Sequence, residues 1–361
     1  MSPPGVDPLQ AAGTTPIDKG HVTVSGIHRL WKWISRHSPD LLFELIELAY
    51  NIYLPQRLVP LFRRNPKAYY YERYAFFMLA GVWIAKWMGH VVILEVNEVA
   101  GVHRARHQVL VPLSKWIERI VFQKADVIAT VSSFLRQEII RRGGVADQVH
   151  VLPNAVDPGV FEAAAGRGKD IRRELKLENT IVAGFVGWFD RWDRLDVLVE
   201  VAQELRGSWP QLRVLLVGGG PVELELKEEV RREHLEKIVI LTGPVPRAQV
   251  PSYIDAMDIC VLPDSNMFGS PLVLFEFMAM GKAVIAPDLL PIRDVLSQDV
   301  TGILIEPKNR QALHGALVRL LENPTLRLSL GAQAKHKVFI QHTWLANAAK
   351  VVALGGQKVS S

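Results

Sequence analysis

The amino-acid sequence predicts an α/β fold of GT-B type, with two doubly wound, Rossmann-like domains that face each other across a cleft. From residue 91 onward, short apolar runs alternate with longer segments of helical period, as in parallel sheets with helices on both faces. A polar, glycine-rich stretch at residues 163–169 separates two such blocks. The length of 361 residues also fits two domains, because one domain commonly has roughly 100–200 residues.

The first block is predicted to hold three strands joined by two helices. One helix covers Leu110–Lys124, with its apolar residues on one face. The other has Ser132 or Ser133 as its N-cap and ends near Arg142, where two glycines follow. The strands are the apolar runs at Val91–Val96, Val127–Val131 and Val149–Leu152.

The second block is predicted to hold six strands, with gaps between them that are long enough for helices. The strands are the apolar runs at Ile181–Val186, Leu212–Val217, Ile238–Leu241, Ile259–Leu262, Ala283–Ala286 and Gly302–Ile305. Open parallel sheets bind ligands beyond the carboxyl ends of their strands. We therefore expect the functional residues in the turns that follow these strands.

Glycines occupy the first three of these turns. Gly187 follows the first strand, Gly218 and Gly219 follow the second, and Gly243 follows the third. Glycine allows a tight turn or the close approach of another group, which here is either a ligand or a neighbouring loop. None of the turns has the spacing of a dinucleotide-binding motif or of a P-loop.

Arg191 and Arg194 follow the first of these glycines and form a candidate anion site. Two arginines three residues apart can reach the oxygens of one anionic ligand. The alternative is that they pair with acidic neighbours, which are Asp190, Asp193 and Asp196.

The most informative segment begins at Ser270 and is typical of a helix start. Ser270 is predicted to be the N-cap and Pro271 the first helical residue. The amides of Leu272 and Val273 then lack acceptors within the helix, and such a helix start binds phosphate. Glu276, one turn later, is placed to accept hydrogen bonds from sugar hydroxyls. A plain core helix would explain the apolar residues, but not a glutamate in so apolar a run.

The excess positive charge lies in the first half of the chain. The net charge is +5, and residues 1–170 hold 20 basic and 15 acidic side chains, whereas residues 171–361 hold 22 of each. The same half contains five tryptophans, at Trp31, Trp33, Trp83, Trp87 and Trp116. Helices with this combination can lie at an anionic membrane surface. The alternative is that the tryptophans pack in a core and the charges are solvated.

Several classes of protein are excluded. A hydrophobic content of 49% rules out global disorder, and the excess of basic residues is too modest to predict nucleic-acid binding. The apolar run Tyr74–Ala85 is too short to cross a membrane, which takes about 20 residues. Cys260, the single cysteine, lies in an apolar run and is expected to be buried, so we predict no disulfide, no structural metal and a reducing compartment. Residues 1–20 are predicted to be a disordered leader.

Short motifs in a fixed order along residues 65–350 resemble those of the retaining, nucleotide-sugar-dependent glycosyltransferases of family 4, which have the GT-B fold. In the first block these motifs are Tyr71-Glu-Arg-Tyr74, Leu94-Glu-Val-Asn97, Ala125–Ser132 and Leu152–Asp157. In the second block they are the glycine turns, the segment Gly269–Asp288 and the helix at Thr343–Ala348. Each motif is weak alone, and their order makes the resemblance specific.

The resemblance implies a role for each candidate of the second domain. The amides of Leu272 and Val273 would hold the donor diphosphate, and Glu276 would bind the ribose. The remaining donor-binding residues would be Gly187, Gly218, Gly219, Gly243, Val245, Ser270 and Pro271, with the turn at 243–245 beside the base. Arg191 and Arg194 would be catalytic with Glu276, because they would stabilise the charge of the leaving diphosphate.

The resemblance also implies the partners of the chain. The donor would be a UDP- or GDP-sugar, bound as a substrate without cofactor or metal ion, and the acceptor a glycan or a lipid-linked intermediate. The acceptor-side candidates follow the strand at 91–96 and are Asn97, Glu98, His103 and Arg106, with Glu95 and His107 beside them. The location would be the cytoplasm, or peripherally the inner face of the membrane.

The predicted domain boundaries follow from this reading. After the leader at 1–20, residues 21–157 would form the acceptor-side domain and residues 158–340 the donor domain. Residues 341–361 would form a helix and tail that pack back toward the first domain. The first domain is short, because it lacks the strand and glycine-rich loop with which family members usually open.

Further departures from the family pattern leave a second interpretation open. Phe268 stands where the family has a glutamate that contacts the sugar, although a related branch also lacks that glutamate. Trp188 and Asp193 stand at the positions of the family's basic pair. These departures favour a catalytically silent GT-B subunit that binds a nucleotide or a partner glycosyltransferase.

Overall fold

The computed structural model describes residues 40–102 and 108–359, whose strands form two separate parallel sheets. The first sheet has the order β1-β2-β3-β4, with all neighbours parallel. Its strands are β1 Tyr70–Arg73, β2 Val92–Val96, β3 Val127–Thr130 and β4 Val149–Val151. The three strands predicted from the sequence are confirmed, and β1 is an additional edge strand.

The helices of the first domain lie between and before these strands. They are α1 Asp40–Arg64, α2 Ala80–Trp87, α3 Val111–Lys124 and α4 Ser133–Arg141. Because the crossovers β1 to β4 all step in one direction, right-handed connections place α2, α3 and α4 on one face of the sheet. Ser132 is the N-cap of α4, as predicted, and its hydroxyl accepts a hydrogen bond from the Leu135 amide at 3.2 Å.

The second sheet contains all six predicted strands in the order β10-β9-β8-β5-β6-β7. The strands are β5 Ile181–Trp188, β6 Leu212–Gly219, β7 Val239–Gly243, β8 Ile259–Val261, β9 Ala283–Pro287 and β10 Ile303–Ile305. The order of strands reverses between β5 and β8, so this sheet is doubly wound, and ligands of such sheets bind at the carboxyl ends next to the reversal. Cys260 lies fully buried in β8, as expected.

Helices cover both faces of the second sheet. They are α5 Pro158–Glu162, α6 Gly168–Glu174, α7 Leu195–Leu205, α8 Glu223–Arg232, α9 Val250–Asp255, α10 Leu272–Ala279, α11 Leu290–Arg293, α12 Arg310–Glu322 and α13 Pro324–Gln341. The last helix, α14 Trp344–Val359, leaves this domain and packs against β2 and β3. At the crossing, the Val156 amide donates to the His342 carbonyl at 3.0 Å, and the Trp344 amide donates to the Val156 carbonyl at 3.2 Å.

The carboxyl ends of the two sheets meet through hydrogen bonds between the domains. Asn154, after β4, donates its backbone amide to the Ser270 hydroxyl at 3.1 Å and its side-chain amide to the Ser270 carbonyl at 2.6 Å. The backbone and hydroxyl of Ser133 donate to the Asp294 carboxylate at 2.7 and 2.6 Å. The predicted cleft is therefore bordered by these contacts.

The described surface of residues 40–124 carries exposed tryptophans and exposed basic side chains. Trp83, Trp87 and Trp116 are 62, 75 and 59% exposed, so these three tryptophans do not pack in a core. Every exposed charged side chain within 40–102 and 108–124 is a lysine or an arginine. Trp31 and Trp33, with the predicted leader at 1–20, lie outside the described residues. In the described ranges no helix has both the length and the apolar character needed to cross a membrane.

Candidate active site

The carboxyl ends of β5 and β6 are held in close backbone contact by glycine. Gly187 and Gly218 are register partners, and a Cβ on Gly218 would lie 1.9 Å from the Gly187 carbonyl oxygen. A Cβ on Gly219 would lie 3.1 Å from the ring of Pro244. The close approach at Gly218 is therefore that of the neighbouring strand β5, and its donor-binding role stays a prediction.

Gly243 differs from these glycines because it borders open space. Its φ of 75° is left-handed, and an added Cβ would meet no atom within 4 Å. Its residue type is therefore set by the turn and not by a neighbour. The turn leads through the half-buried Val245 to the short helical turn Arg247–Gln249.

The predicted start of the helix at 270 is wrong by one residue. Pro271 is the N-cap of α10 and Leu272 its first residue, with no side-chain cap. The Ser270 hydroxyl instead accepts a hydrogen bond from the Asn154 amide in the other domain. The Leu274 amide donates to the Pro271 carbonyl at 3.1 Å, whereas no described residue accepts from the amides of Leu272 and Val273. The two amides expected to be free are thus free at this helix start.

Glu276 lies one turn into α10 and is buried, with 9% of its surface exposed. Its Oε1 accepts a hydrogen bond from Nη2 of Arg247 at 3.2 Å, which joins α10 to the turn after β7. Burial raises the pKa of the Glu276 carboxyl, and the guanidinium of Arg247 opposes that shift. The structure therefore brings Glu276 next to the turn at Gly243–Val245. The sequence analysis did not single out Arg247. It could have been found as a basic residue in the turn that follows a predicted strand.

Arg191 and Arg194 each pair with an acidic side chain. Nη2 of Arg191 lies 2.6 Å from Oε1 of Glu225 on α8, and both side chains are mostly exposed. Arg194 binds both oxygens of Asp196, with its Nη2 2.8 Å from Oδ2. The acidic pairing that the sequence left open thus holds for Arg194, while Arg191 finds a more distant partner.

Two residues that depart from the family pattern have structural contacts. Asp193 is buried, its Oδ2 accepts from the Asp190 amide at 3.0 Å, and burial raises its pKa to about 7. Phe268 packs against the core of the first domain, and its carbonyl oxygen accepts from the Ser132 hydroxyl at 2.6 Å. Both residues are therefore held in place by contacts within the framework around the cleft.

A cavity of about 410 Å³ lies in the first domain, between the carboxyl half of its sheet and α14. Glu95 lines this cavity, and its carboxylate accepts hydrogen bonds from the Tyr71 hydroxyl and, at 2.7 Å, from the Asn97 side-chain amide. Asn97 thus lies behind the cavity wall, and Glu98 follows it. His103, Arg106 and His107 fall outside the described residues. Within those residues no group of three His, Cys, Asp or Glu side chains is arranged to hold a metal ion.

Comparison with known proteins covers both domains. The family model "Glycosyltransferase Family 4" matches residues 7–160, and the model "Glycosyl transferases group 1" matches residues 167–337. The alpha-D-kanosaminyltransferase of Streptomyces kanamyceticus is 25% identical over 254 residues, which are 67% of this chain and 66% of the relative. The amylovoran biosynthesis glycosyltransferase AmsK of Erwinia amylovora is 26% identical over 270 residues, 72% of this chain and 64% of the relative. The matches span less than two thirds of these relatives.

Solved structures show the same fold at low sequence identity. Anabaena Alr3699/HepE in complex with UDP superposes with a TM-score of 0.67 at 18% identity, covering 85% of this chain and 81% of that one. Sucrose-phosphate synthase of Thermosynechococcus elongatus gives a TM-score of 0.67 at 21% identity, with 85 and 77% covered. The predicted GT-B architecture of two parallel-sheet domains is therefore confirmed. The chain belongs to the group 1 glycosyltransferases, and its first half matches their family 4 model.

Proposed function

We propose that this protein transfers a sugar, with retention, from a UDP- or GDP-sugar to a glycan or lipid-linked acceptor. The observation that carries the proposal is the start of α10, where the free amides of Leu272 and Val273 lie one turn from the buried carboxyl of Glu276. A helix start attracts a diphosphate, and a carboxylate accepts hydrogen bonds from vicinal hydroxyls. A nucleotide sugar contains both of these groups, a diphosphate and a ribose with vicinal hydroxyls.

The donor would lie across the carboxyl ends of β5 to β8. The amides of Leu272 and Val273 would bind the diphosphate, Glu276 the ribose, and the turn at Gly243–Val245 the base. Arg247 already contacts Glu276, and its guanidinium lowers the pKa of that carboxyl against the larger raising effect of burial. HepE, whose fold this chain shares, has been solved with UDP-glucose, which supports a UDP-sugar among the candidate donors.

Arg191 and Arg194 are proposed to stabilise the leaving diphosphate. Their present partners, Glu225 and Asp196, are 57 and 40% exposed, and exposed ion pairs contribute only about 0–1 kcal/mol. A diphosphate carries more negative charge than either carboxylate and can displace it. In the step itself, the bond from the anomeric carbon to the diphosphate oxygen breaks, and the acceptor oxygen bonds to that carbon on the same face. The acceptor proton passes to the departing diphosphate, so no protein nucleophile is required.

A nucleotide-binding assay tests the donor site directly. UDP, GDP and ADP are titrated against wild type and Glu276→Ala, with binding followed by calorimetry and folding by circular dichroism. We expect Glu276→Ala to weaken the binding of the preferred nucleotide by about 10- to 100-fold, since a hydrogen bond to a charged group contributes roughly 1.5–3 kcal/mol. Glu228→Ala, at an exposed glutamate on α8, is the matched control and should bind as wild type does. Unchanged affinity in Glu276→Ala would mean that α10 is only a core helix.

A catalytically silent subunit is the second candidate. Asp193 stands where the family has a basic residue, and its carboxylate accepts a hydrogen bond from the Asp190 amide. Phe268 stands in place of the family's glutamate and packs against the core of the first domain. Neither side chain is therefore free to take over the missing catalytic contact. Donor hydrolysis across a panel of acceptors separates the candidates, because nucleotide binding without any turnover would support the silent subunit.

A peripheral position on the inner face of an anionic membrane completes the proposal. Its support is the surface of residues 40–102 and 108–124, with three exposed tryptophans and only cationic exposed charges. Anionic lipids of the cytoplasmic leaflet attract such basic surfaces, and tryptophan favours the interface. A lipid-linked acceptor would then be reached from the domain that contacts the membrane.

A further inference from the structure

The cavity of the first domain combines two kinds of wall. On one side lie the carboxyl ends of the strands with Tyr71 and Glu95, and on the other side lies α14 with Trp344, Asn347 and Val351. Its volume of about 410 Å³ falls within the roughly 300–1,000 Å³ usual for small-molecule sites. The cavity is therefore large enough for one ring-sized group with a short substituent.

The polar part of the wall presents hydrogen-bond acceptors. The carboxylate of Glu95 is held by Tyr71 and Asn97 and keeps further lone pairs on both oxygens. The side-chain amide of Asn347 donates to the Pro153 carbonyl at 2.8 Å, whereas its Oδ1 is buried and has no hydrogen-bond partner among the described residues. A buried acceptor left without a donor costs about 1–3 kcal/mol. A ligand with hydrogen-bond donors, such as hydroxyl groups, would satisfy these acceptors.

The rest of the wall is apolar and continues to the surface. Val351 and Val352 lie on successive positions of α14, and Trp344 lies about two turns before them. Trp344 is 50% exposed and Val352 is 62% exposed, so the apolar surface extends out of the cavity. An apolar chain attached to the ligand would cover this strip, at roughly 25 cal/mol for each Å² removed from water.

The cavity is linked to the donor helix through Asn154. This residue lines the cavity and also donates two hydrogen bonds to Ser270, which directly precedes the N-cap of α10. A ligand in the cavity is therefore one residue away from the loop that leads to Leu272 and Val273. The cavity wall and the loop before the donor helix thus share Asn154 as a direct neighbour, which favours a role for the cavity in the same reaction.

We infer that this cavity is the acceptor site and that α14 forms its apolar wall. The acceptor is a hydroxylated ring that carries an apolar substituent, with the ring hydroxyls on Glu95 and Asn347 and the substituent along Trp344 and Val352. This inference rests on the proposed glycosyl transfer, since it names the acceptor class of that reaction. It also gives the returning C-terminal helix a role in substrate binding.

Binding of alkyl glycosides tests the inference without turnover. Hexyl glucoside, galactoside and mannoside are titrated against the full chain by calorimetry, next to the methyl glycoside of each sugar. The test variant is Ala348→Trp, which puts an indole into the cavity, and the control is Ala349→Trp, one residue further on the same helix and outside the cavity wall. UDP and GDP affinity is measured for every variant.

We expect at least one hexyl glycoside to bind wild type at least tenfold more tightly than its methyl counterpart. Ala348→Trp should reduce that affinity tenfold or more without changing nucleotide affinity, and Ala349→Trp should change neither. Glu95→Gln should weaken the hexyl and methyl glycosides by the same factor, because it alters only the polar wall. Equal binding by wild type and Ala348→Trp, or no binding of any glycoside by wild type, would overturn the acceptor site. If the wild type bound neither UDP nor GDP, that result would instead contradict the proposed function.

Discussion

Asp193 shows how one buried carboxyl can make the stability of the fold depend on pH. It is 7% exposed and lies in the short helical turn Arg191–Asp193 that follows β5. There it accepts a hydrogen bond from the amide of Asp190, which is the N-cap of the same turn. Burial raises its pKa from 3.8 to about 7, and the nearby charges of Asp190 and Asp264 add to that shift. The carboxyl is therefore neutral in the folded protein at pH values where it is ionised in the unfolded chain.

The pH dependence of stability follows from this difference. Because the pKa of Asp193 is raised on folding, its contribution to stability is fully present below pH 3.8 and is lost as the pH rises through about 7. We expect Asp193→Asn, which keeps an oxygen for the Asp190 amide, to remove this loss and to stabilise the protein at pH 8 by up to about 4 kcal/mol. Urea denaturation of both proteins at pH 4, 6 and 8 measures the effect. A wild-type to variant difference that stays constant over this range would contradict the pKa shift.

Single residues also show where sequence reasoning succeeds and where it ends. Glu276 was recognisable as a candidate site residue because a charged residue in an apolar helix is costly unless something binds it. Its partner Arg247 comes from another strand's turn, so only the fold reveals the pair. Ser270 had the residue type of an N-cap, but its hydroxyl accepts a hydrogen bond from the amide of Asn154, 116 residues away. Contacts between domains of this kind leave no local signal.

Among the elements, strands buried on both faces were the easiest to predict. Each one is a short apolar run, and the run fixes its position within a few residues. The edge strand β1 was missed because Tyr70–Arg73 alternates half-buried and exposed residues and contains two charges. The helix α1 was missed because Pro55 and Pro60 lie inside it, and proline ordinarily ends a helix. Tertiary packing overrode the local signal in both elements.

The close pairing of β5 and β6 depends on Gly218. Its φ of 134° disfavours a side chain, and a Cβ would lie 1.9 Å from the Gly187 carbonyl oxygen, so neither conformation nor space allows alanine. We expect Gly218→Ala to destabilise the protein by about 3 kcal/mol or more, because two backbones must move apart. Thermal denaturation followed by circular dichroism measures the change.

Gly315 provides the matched control for this substitution. It lies inside α12, and an added Cβ would meet no atom within 4 Å. Gly315→Ala should therefore stabilise the protein by roughly 0.5–1 kcal/mol, the usual gain from alanine in a helix interior. If Gly218→Ala were as well tolerated as Gly315→Ala, the contact between β5 and β6 would not be as tight as the structure shows.

On the scale of the whole molecule, the two domains differ in net charge, which fits different proposed partners for each. In the proposed function the second domain binds one diphosphate with a helix start and a few selected side chains, and residues 171–361 carry no net charge. The excess of basic residues lies in the half that holds the acceptor cavity and the exposed tryptophans. The sequence predicted this asymmetry from composition alone. Exposure of the tryptophans, which decided between a core and a surface role, required the structure.

The exposed tryptophans give the last prediction, which concerns binding to vesicles. Trp83 and Trp87 lie one helical turn apart on α2 and are 62 and 75% exposed, so both can enter the interface of a bilayer together. We expect the double variant Trp83→Ser/Trp87→Ser to bind vesicles of phosphatidylserine and phosphatidylcholine at least tenfold more weakly than wild type in a flotation assay. Binding by wild type should also fall as salt is raised, since the Debye length shortens from about 10 Å at 0.1 M to about 3 Å at 1 M.

Trp188 makes this experiment specific to the first domain. It is 67% exposed at the end of β5, in the domain assigned to the donor, so Trp188→Ser removes an equally exposed indole from the other half of the molecule. Vesicle binding by Trp188→Ser should match that of wild type if the membrane meets only the first domain. Equal losses in the two variants would mean that exposed tryptophan adheres to lipid regardless of its position. Binding to vesicles of pure phosphatidylcholine as strong as to anionic ones would exclude the cationic surface as its cause, because a neutral bilayer offers the lysines and arginines no net charge to meet.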